Sequence, residues 1–140
     1  MARILIVDDT EILRRAMELV IRRMGHTPVS AATPRKAYEL ALADPPDVAL
    51  IDLLMPEMDG AELFRSLRAG LGERCPAVIF VSASPPEEVA RRVLPVGFPA
   101  GYVTKPFNVD HLSGMVAGAI AGRPAAWRVD GRCTQAANAI

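Results

Sequence analysis

A chain of 140 residues suffices for one ordinary domain and is too short for two full-sized ones. Apolar residues make up 51% of it, enough for a sizeable core, and 16 basic residues balance 16 acidic ones, so no cationic surplus argues for nucleic acid. No apolar run approaches the ~20 residues of a membrane helix, and the opening Met1-Ala2-Arg3 leads straight into Ile4-Leu5-Ile6-Val7, a run too short for a signal peptide.

Cys75 and Cys133 lie far apart, which suggests reduced thiols and a cytoplasmic protein rather than a disulfide framework. His26 and His111 sit at no zinc-ligand spacing from them.

Along the chain, short β-like runs alternate with helical patterns. Ile4 to Val7 is continuously apolar, as expected of a strand buried on both faces. From Glu11 to Met24, apolar Leu13, Ala16, Met17, Val20, Ile21 and Met24 recur at helical spacing, and Gly25 supplies the stop. Thr27 to Ala31 is a weaker strand. Pro34 to Ala43 reads as a helix capped by Thr33, with Ala37, Leu40 and Ala41 inward, and Pro45-Pro46 ends it.

Val48 to Leu53 is a second buried strand, interrupted by Asp52. Asp59 and Glu62 form a capping-box pattern for a helix through Arg68, with Leu63, Phe64 and Leu67 as its core face. Ala77 to Val81 is a third apolar run. Ser84-Pro85-Pro86-Glu87 predicts a helix capped by Ser84, kept short by Pro95, Gly97 and Pro99. Gly101 to Thr104 is a last short strand. Asn108 caps a final helix in which Val109, Leu112, Val116, Ala119 and Ile120 share a face. Residues 123–140, with Arg123-Pro124, Gly131 and the single Trp127, show no second domain and read as a flexible tail, Trp127 covering a small apolar patch or moving freely.

Five strand–helix repeats imply an α/β fold with a doubly wound parallel sheet and helices on both faces. Ligands then bind at the carboxyl ends of the strands. Asp8 and Asp9 follow the first strand, Asp52 lies in the third, Ser82 follows the fourth and Lys105 the fifth. Adjacent carboxylates repel unless a cation separates them, and oxygen ligands of this kind suit magnesium, or manganese in its place. Metal, the Lys105 ammonium and the Ser82 hydroxyl together could neutralise the oxygens of a transferring phosphoryl group, with the Asp52 carboxylate as nucleophile.

Four blocks carry a family resemblance: Val7-Asp8-Asp9, the segment from Asp52 through Leu53-Leu54-Met55-Pro56-Glu57-Met58 to Asp59-Gly60, Ser82-Ala83, and Tyr102-Val103-Thr104-Lys105-Pro106-Phe107. In this order they resemble the signature of response-regulator receiver domains over roughly residues 2–121. The resemblance implies a five-stranded sheet in the order 2-1-3-4-5 with five helices, a receiver domain over residues 1–122, and Asp52 as phosphoacceptor. It implies that Asp9 and Asp52 ligate magnesium directly, Asp8 directly or through water, and Leu54 through its carbonyl. Lys105 would bridge to the phosphoryl group, with a cis bond to Pro106. Ser82 and Tyr102 would switch position after transfer and reshape the face made by the fourth helix, fifth strand and fifth helix. The implied partners are a sensor histidine kinase or histidine phosphotransfer protein, a downstream protein target, and a second copy through that same face. Direct nucleic acid or membrane contact is not expected.

Two features depart from the usual pattern. Two prolines between Leu94 and Ala100 should shorten the fourth helix and stiffen the loop that follows, and Leu54 and Ser84 flank the expected site, where they should affect access of water.

Each residue also has a plainer reading. Asp8 and Asp9 could cap the first helix, Ser82 could be a turn residue, Tyr102 a half-buried strand aromatic, Thr10 a helix-start residue, and both histidines surface residues. Asp52 fits such a reading less well, because an unpaired carboxylate inside a β-run is costly. A phosphatase with an aspartyl-phosphate intermediate would place its nucleophile in a first-strand motif with aspartates two apart, whereas Asp8 and Asp9 are adjacent. A nucleotide-binding module would need a phosphate loop, and Gly70-Leu71-Gly72 follows a helix and lacks a third glycine.

Overall fold

Residues 1–56 and 59–122 are described in full by the computed structural model, together with the backbone of 126–129 and 132–135. Glu57 and Met58 of the signature segment, the Trp127 side chain, and Arg123, Pro124 and Gly131 of the expected tail lie outside the described residues.

The elements run β1 (Arg3–Val7), α1 (Glu11–Arg23), β2 (Thr27–Ala31), α2 (Pro34–Ala43), β3 (Val48–Ile51), α3 (Gly60–Leu71), β4 (Ala77–Ser82), α4 (Pro86–Val93), β5 (Gly101–Thr104) and α5 (Val109–Ile120). β6 (Ala126–Val129) and β7 (Arg132–Gln135) pair antiparallel with each other. The first five strands form one sheet in the order β2-β1-β3-β4-β5, all neighbours parallel.

The continuous apolar runs are explained by burial on both faces. Along β1, Leu5 and Val7 face one layer while Ile4 and Ile6 face the other. β3 and β4 alternate in the same way: Ala49, Ile51, Val78 and Phe80 join the first layer, and Val48, Leu50, Ile79 and Val81 the second. α2, α3 and α4 cover the first layer through Ala37, Leu63, Leu67 and Val89. α1 and α5 cover the second through Met17, Ile21, Leu112 and Val116. Fully burying each large side chain contributes roughly 1.5–3 kcal/mol, so this double layer is the main source of stability. Phe64 of α3 meets Phe80 of β4 edge-on, with ring centres 5.8 Å apart.

Local signals set the helix ends. Thr33 Oγ1 accepts from the Lys36 amide at 3.2 Å, Asp59 Oδ1 from the Glu62 amide at 2.9 Å, and Asn108 Oδ1 from the His111 amide at 3.1 Å. Gly25 takes a φ of +86° beyond α1, a conformation that favours glycine.

Several expectations need correction. Ser84 does not cap α4: Pro85 holds the position before the helix, and Ser84 is buried one residue earlier, its amide donating to Ser82 Oγ at 3.1 Å. β3 ends at Ile51, so Asp52 lies just beyond the strand, and α3 continues past Arg68 to Leu71. Val109 and Ile120 do not share the inward face of α5; they are exposed, and Leu112 and Val116 carry the packing. His26 is only partly exposed, because its Nδ1 accepts from the Ala2 amide at 3.1 Å. α4 is short, as the prolines predict.

β2 lies at one edge of the sheet, with Pro28 inside it. No helix among the described residues is long and apolar enough to cross a membrane.

Candidate functional site

The parallel sheet brings the carboxyl ends of β1, β3, β4 and β5 to one edge. β1 delivers Asp8 as its first residue past the strand, with no exposed surface, and Asp9 next to it, exposed at the start of the turn into α1. The Asp52 amide donates to the Val7 carbonyl at 2.9 Å, which sets the third-strand carboxylate beside the first-strand pair. Ligating oxygens of Asp8, Asp9 and Asp52 all lie within 4.8 Å of one another.

Lys105 arrives from the far side. Its amide donates to the Ser82 carbonyl at 2.8 Å, and its bond to Pro106 is cis. Its Nζ lies 2.8 Å from Asp8 Oδ2 and 3.2 Å from Asp52 Oδ2. Three carboxylates thus face one ammonium, an excess of negative charge that suits a divalent cation. The donor set is all oxygen, and the exposure of Asp9 leaves room for water in the shell, as magnesium requires. Asp8, Asp9 and Asp52 are therefore a fitting set for such an ion.

The electrostatics follow from burial. Burial pushes the Asp52 carboxyl above its ordinary value; the Lys105 charge opposes this, and the Asp8 charge reinforces it. Burial also works against the Lys105 ammonium, but its hydrogen bond to Asp8 and the charges of both carboxylates outweigh that cost and hold it above its ordinary value.

Ser82 is buried at the end of β4, and its Oγ accepts the Ser84 amide. The Leu54 amide donates to Asp52 Oδ1 at 3.3 Å, while its side chain is exposed beside the site. Tyr102 is half-buried on β5 and packs against the layer covered by α4. Burial, and then the Glu87 charge, push its phenol up. The structure thus gathers Asp8, Asp9, Asp52 and Lys105 directly, and Tyr102 lies within β5, three residues before Lys105.

Three supporting contacts were not anticipated from the sequence. The Thr10 amide donates to Asp8 Oδ1 at 2.8 Å, and Arg14 Nη1 donates to the Asp8 carbonyl at 2.8 Å. Asp8 is therefore held by a turn and a guanidinium, and Thr10, at the helix start, makes no side-chain cap. The third is Gly60. Its amide donates to the Leu53 carbonyl at 2.6 Å, and a Cβ there would lie 2.5 Å from the Asp52 carbonyl oxygen and 2.9 Å from Leu53 Cα. Only a residue without a side chain lets α3 start this close to Asp52.

Comparison with known proteins agrees with this geometry. Residues 4–117 match the response regulator receiver domain family. The response regulator MprA of Mycolicibacterium vanbaalenii is 33% identical over 113 residues, covering 79% of this chain and 46% of the relative. The regulatory protein AtoC of Escherichia coli is 37% identical over 111 residues, covering 79% of this chain and 23% of the relative. The chain thus spans about half the length, or less, of these two curated relatives. Among solved structures, the Vibrio cholerae chemotaxis protein CheY4 superposes with a TM-score of 0.79 at 26% identity, covering 85% of this chain and 98% of that one. A LuxR-family two-component response regulator from Aurantimonas gives 0.78 at 31% identity, covering 88% and 87%. With the acidic cluster and the lysine at the sheet edge, these matches lead to one conclusion: the chain belongs to the response regulator receiver domain family, the receiver modules of two-component signalling.

Proposed function

We propose that Asp52 accepts a phosphoryl group from a phosphohistidine on a sensor histidine kinase or a histidine phosphotransfer protein, and that the modification changes a surface read by a downstream protein. The observation that carries this reading is the convergence of Asp8, Asp9 and Asp52 with the Lys105 ammonium at the sheet edge.

An Asp52 carboxylate oxygen attacks phosphorus. The phosphorus–nitrogen bond breaks, its electron pair stays on the imidazole, and an acyl phosphate forms. Asp9, Asp52 and the Leu54 carbonyl, with Asp8 directly or through water, would hold magnesium, which would supply charge neutralisation for the phosphoryl oxygens. Lys105, already between two carboxylates, turns its ammonium to a phosphoryl oxygen, and the Ser82 hydroxyl donates to another. Tyr102 follows on β5. The surface that changes is the one built by α4, β5 and α5, which is also the face offered to a second copy. The receiver domain comprises residues 1–122, with 123–140 as an appended tail, and it works in the cytoplasm as a signalling module that turns over no separate substrate.

Acetyl phosphate labelling with magnesium tests this. Wild type gains one phosphoryl group at Asp52, Asp52→Asn gains none, and EDTA abolishes labelling. Equal labelling of the Asn variant removes Asp52 from its role, and undiminished labelling in EDTA removes the metal. Label on Asp8 instead would favour the phosphatase reading.

A further inference from the structure

The three carboxylates of the site are supported unequally. Asp8 holds the Lys105 ammonium and the Thr10 amide, and Asp52 holds Lys105 and the Leu54 amide. The exposed Asp9 carboxylate has no hydrogen bond or ion pair among the described residues. Its place within 4.8 Å of the Asp8 and Asp52 oxygens is therefore set through its backbone.

One residue brackets that backbone. Arg14 stands in the first turn of α1. Its amide donates to the Thr10 carbonyl at 3.0 Å, and its Nη1 donates to the Asp8 carbonyl at 2.8 Å. The two bonds grip the residues on either side of Asp9. The Asp8 carbonyl belongs to the planar unit that also contains the Asp9 nitrogen and Cα, so fixing its direction fixes where Asp9 begins. On the other side, Asp8 Oδ1 holds the Thr10 amide at 2.8 Å, and that amide shares a plane with the Asp9 Cα and carbonyl. Both peptide planes that meet at the Asp9 Cα are thus held, and only the side-chain torsions stay free.

This use of a guanidinium differs from that of its neighbours on α1. Arg15 pairs with Glu11 at 2.7 Å, and Arg22 approaches Glu18 at 3.9 Å. Arg14 is half-buried and joins no ion pair among the described residues. Its donor goes to a backbone carbonyl beside the acidic cluster. An arginine that only closed the turn between β1 and α1 would contribute to stability and leave metal affinity untouched.

We infer that Arg14 is a positioning residue for the metal: by holding the peptide between Asp8 and Asp9, it aims the Asp9 carboxylate at the point where Asp8 and Asp52 would meet magnesium. The inference rests on the metal-binding reading proposed above. It also carries a sign that charge alone does not. Arg14 brings a positive charge near a cation site, so its removal, acting through charge only, would tighten magnesium binding. Loss of a positioned ligand weakens it.

Two measurements on the full chain test this. In EDTA, nitrogen-15 relaxation reads the Asp9 amide. Its order parameter is expected near 0.85 in wild type, a value typical of rigid backbone, and should fall toward about 0.6 in Arg14→Ala. The Ile6 amide in β1 should not change. Calorimetric titration with magnesium chloride then reads the dissociation constant, which should rise about tenfold in Arg14→Ala. Arg14→Met keeps the apolar stem and removes every donor, so it should match Arg14→Ala in both measurements. Arg14→Lys, whose ammonium can donate to the same carbonyl, should recover part of the affinity. Thermal melts in EDTA confirm that each variant is folded, and Arg14→Met carries the comparison if Arg14→Ala is not. An unchanged Asp9 order parameter overturns the inference, as does magnesium bound equally or more tightly without the guanidinium; either result leaves the metal site standing. A wild-type chain that binds no magnesium overturns the metal reading, and the inference with it.

Discussion

Lys105 donates from Nζ to Asp8 Oδ2 at 2.8 Å, although 97 positions separate the two residues. Asp8 has no exposed surface, so this ammonium and the Thr10 amide are what its carboxylate has in place of water. The pair ties the end of β1 to the residue just past β5, across β3 and β4.

Lys105→Ala leaves Asp8 buried without its cationic partner. Loss of one partner of a buried pair costs up to roughly 3–5 kcal/mol. The 15% exposure of the Lys105 side chain admits some water, so a loss of about 2 kcal/mol is expected. The variant keeps a native circular dichroism spectrum, melts lower in EDTA, and recovers part of the loss on adding magnesium through preferential binding to the folded state. Its labelling by acetyl phosphate falls at least about tenfold. Unfolding at room temperature would mark Lys105 as a structural residue first.

Asp52→Asn acts in the opposite direction on stability. The carboxyl is raised above its ordinary value of 3.8 in the folded, metal-free chain. Between the ordinary and raised values, the folded chain holds a proton that the unfolded chain has released. Stability therefore falls as pH rises through that window, and the loss is complete above it. The Asn variant does not titrate there. In EDTA at neutral pH it should melt a few degrees above wild type, with the gap narrowing below the window and on adding magnesium at neutral pH. A variant that melts below wild type at neutral pH without metal would contradict the burial argument.

Gly60→Ala places a Cβ 2.5 Å from the Asp52 carbonyl oxygen, which cannot move without shifting the backbone that carries the Asp52 carboxylate. Overpacking of this kind costs about 1–3 kcal/mol. Phosphorylation slows in the same variant because Asp52 is displaced, and urea denaturation with a labelling time course reads both effects. Unchanged values for both would mean that α3 withdraws without cost.

Asp59 and Arg92 give a contrast of magnitudes. Asp59 accepts the Glu62 amide at the start of α3, and Arg92 of α4 approaches it at 3.6 Å while also lying 3.5 Å from Glu88. Cap removal by Asp59→Ala costs about 1 kcal/mol. Arg92→Ala, which breaks only half-exposed pairs, costs under about 0.5 kcal/mol. Thermal melts of the two variants decide it, and a larger loss from Arg92→Ala would show that the bridge between α3 and α4 outweighs the cap.

Most of the architecture was legible because the signals were local. Ile4 to Val7 and Ala77 to Val81 could only be strands buried twice, and Thr33, Asp59 and Asn108 cap as their side chains predict. Asp8, Asp9, Asp52 and Lys105 could be gathered because parallel topology sends successive strand ends to one edge. What failed depended on neighbours. Ser84 has the chemistry of a cap, but its amide is drawn to Ser82 Oγ and the helix starts two residues later. Val109 fits the period of α5, yet it falls at the first helical position, where it is left exposed beside α1. Gly60 could not be read as a close approach until the Asp52 carbonyl was seen beside it.

Pro28 sits in the outermost strand, where Thr27 turns its amide inward to the Ala2 carbonyl at 2.9 Å. By alternation, the next nitrogen faces away from the sheet, and in Pro28 that nitrogen has no hydrogen to give. A foreign strand approaching this border therefore meets a missing donor. The border thus resists the open-ended strand-on-strand stacking that leads to fibrils.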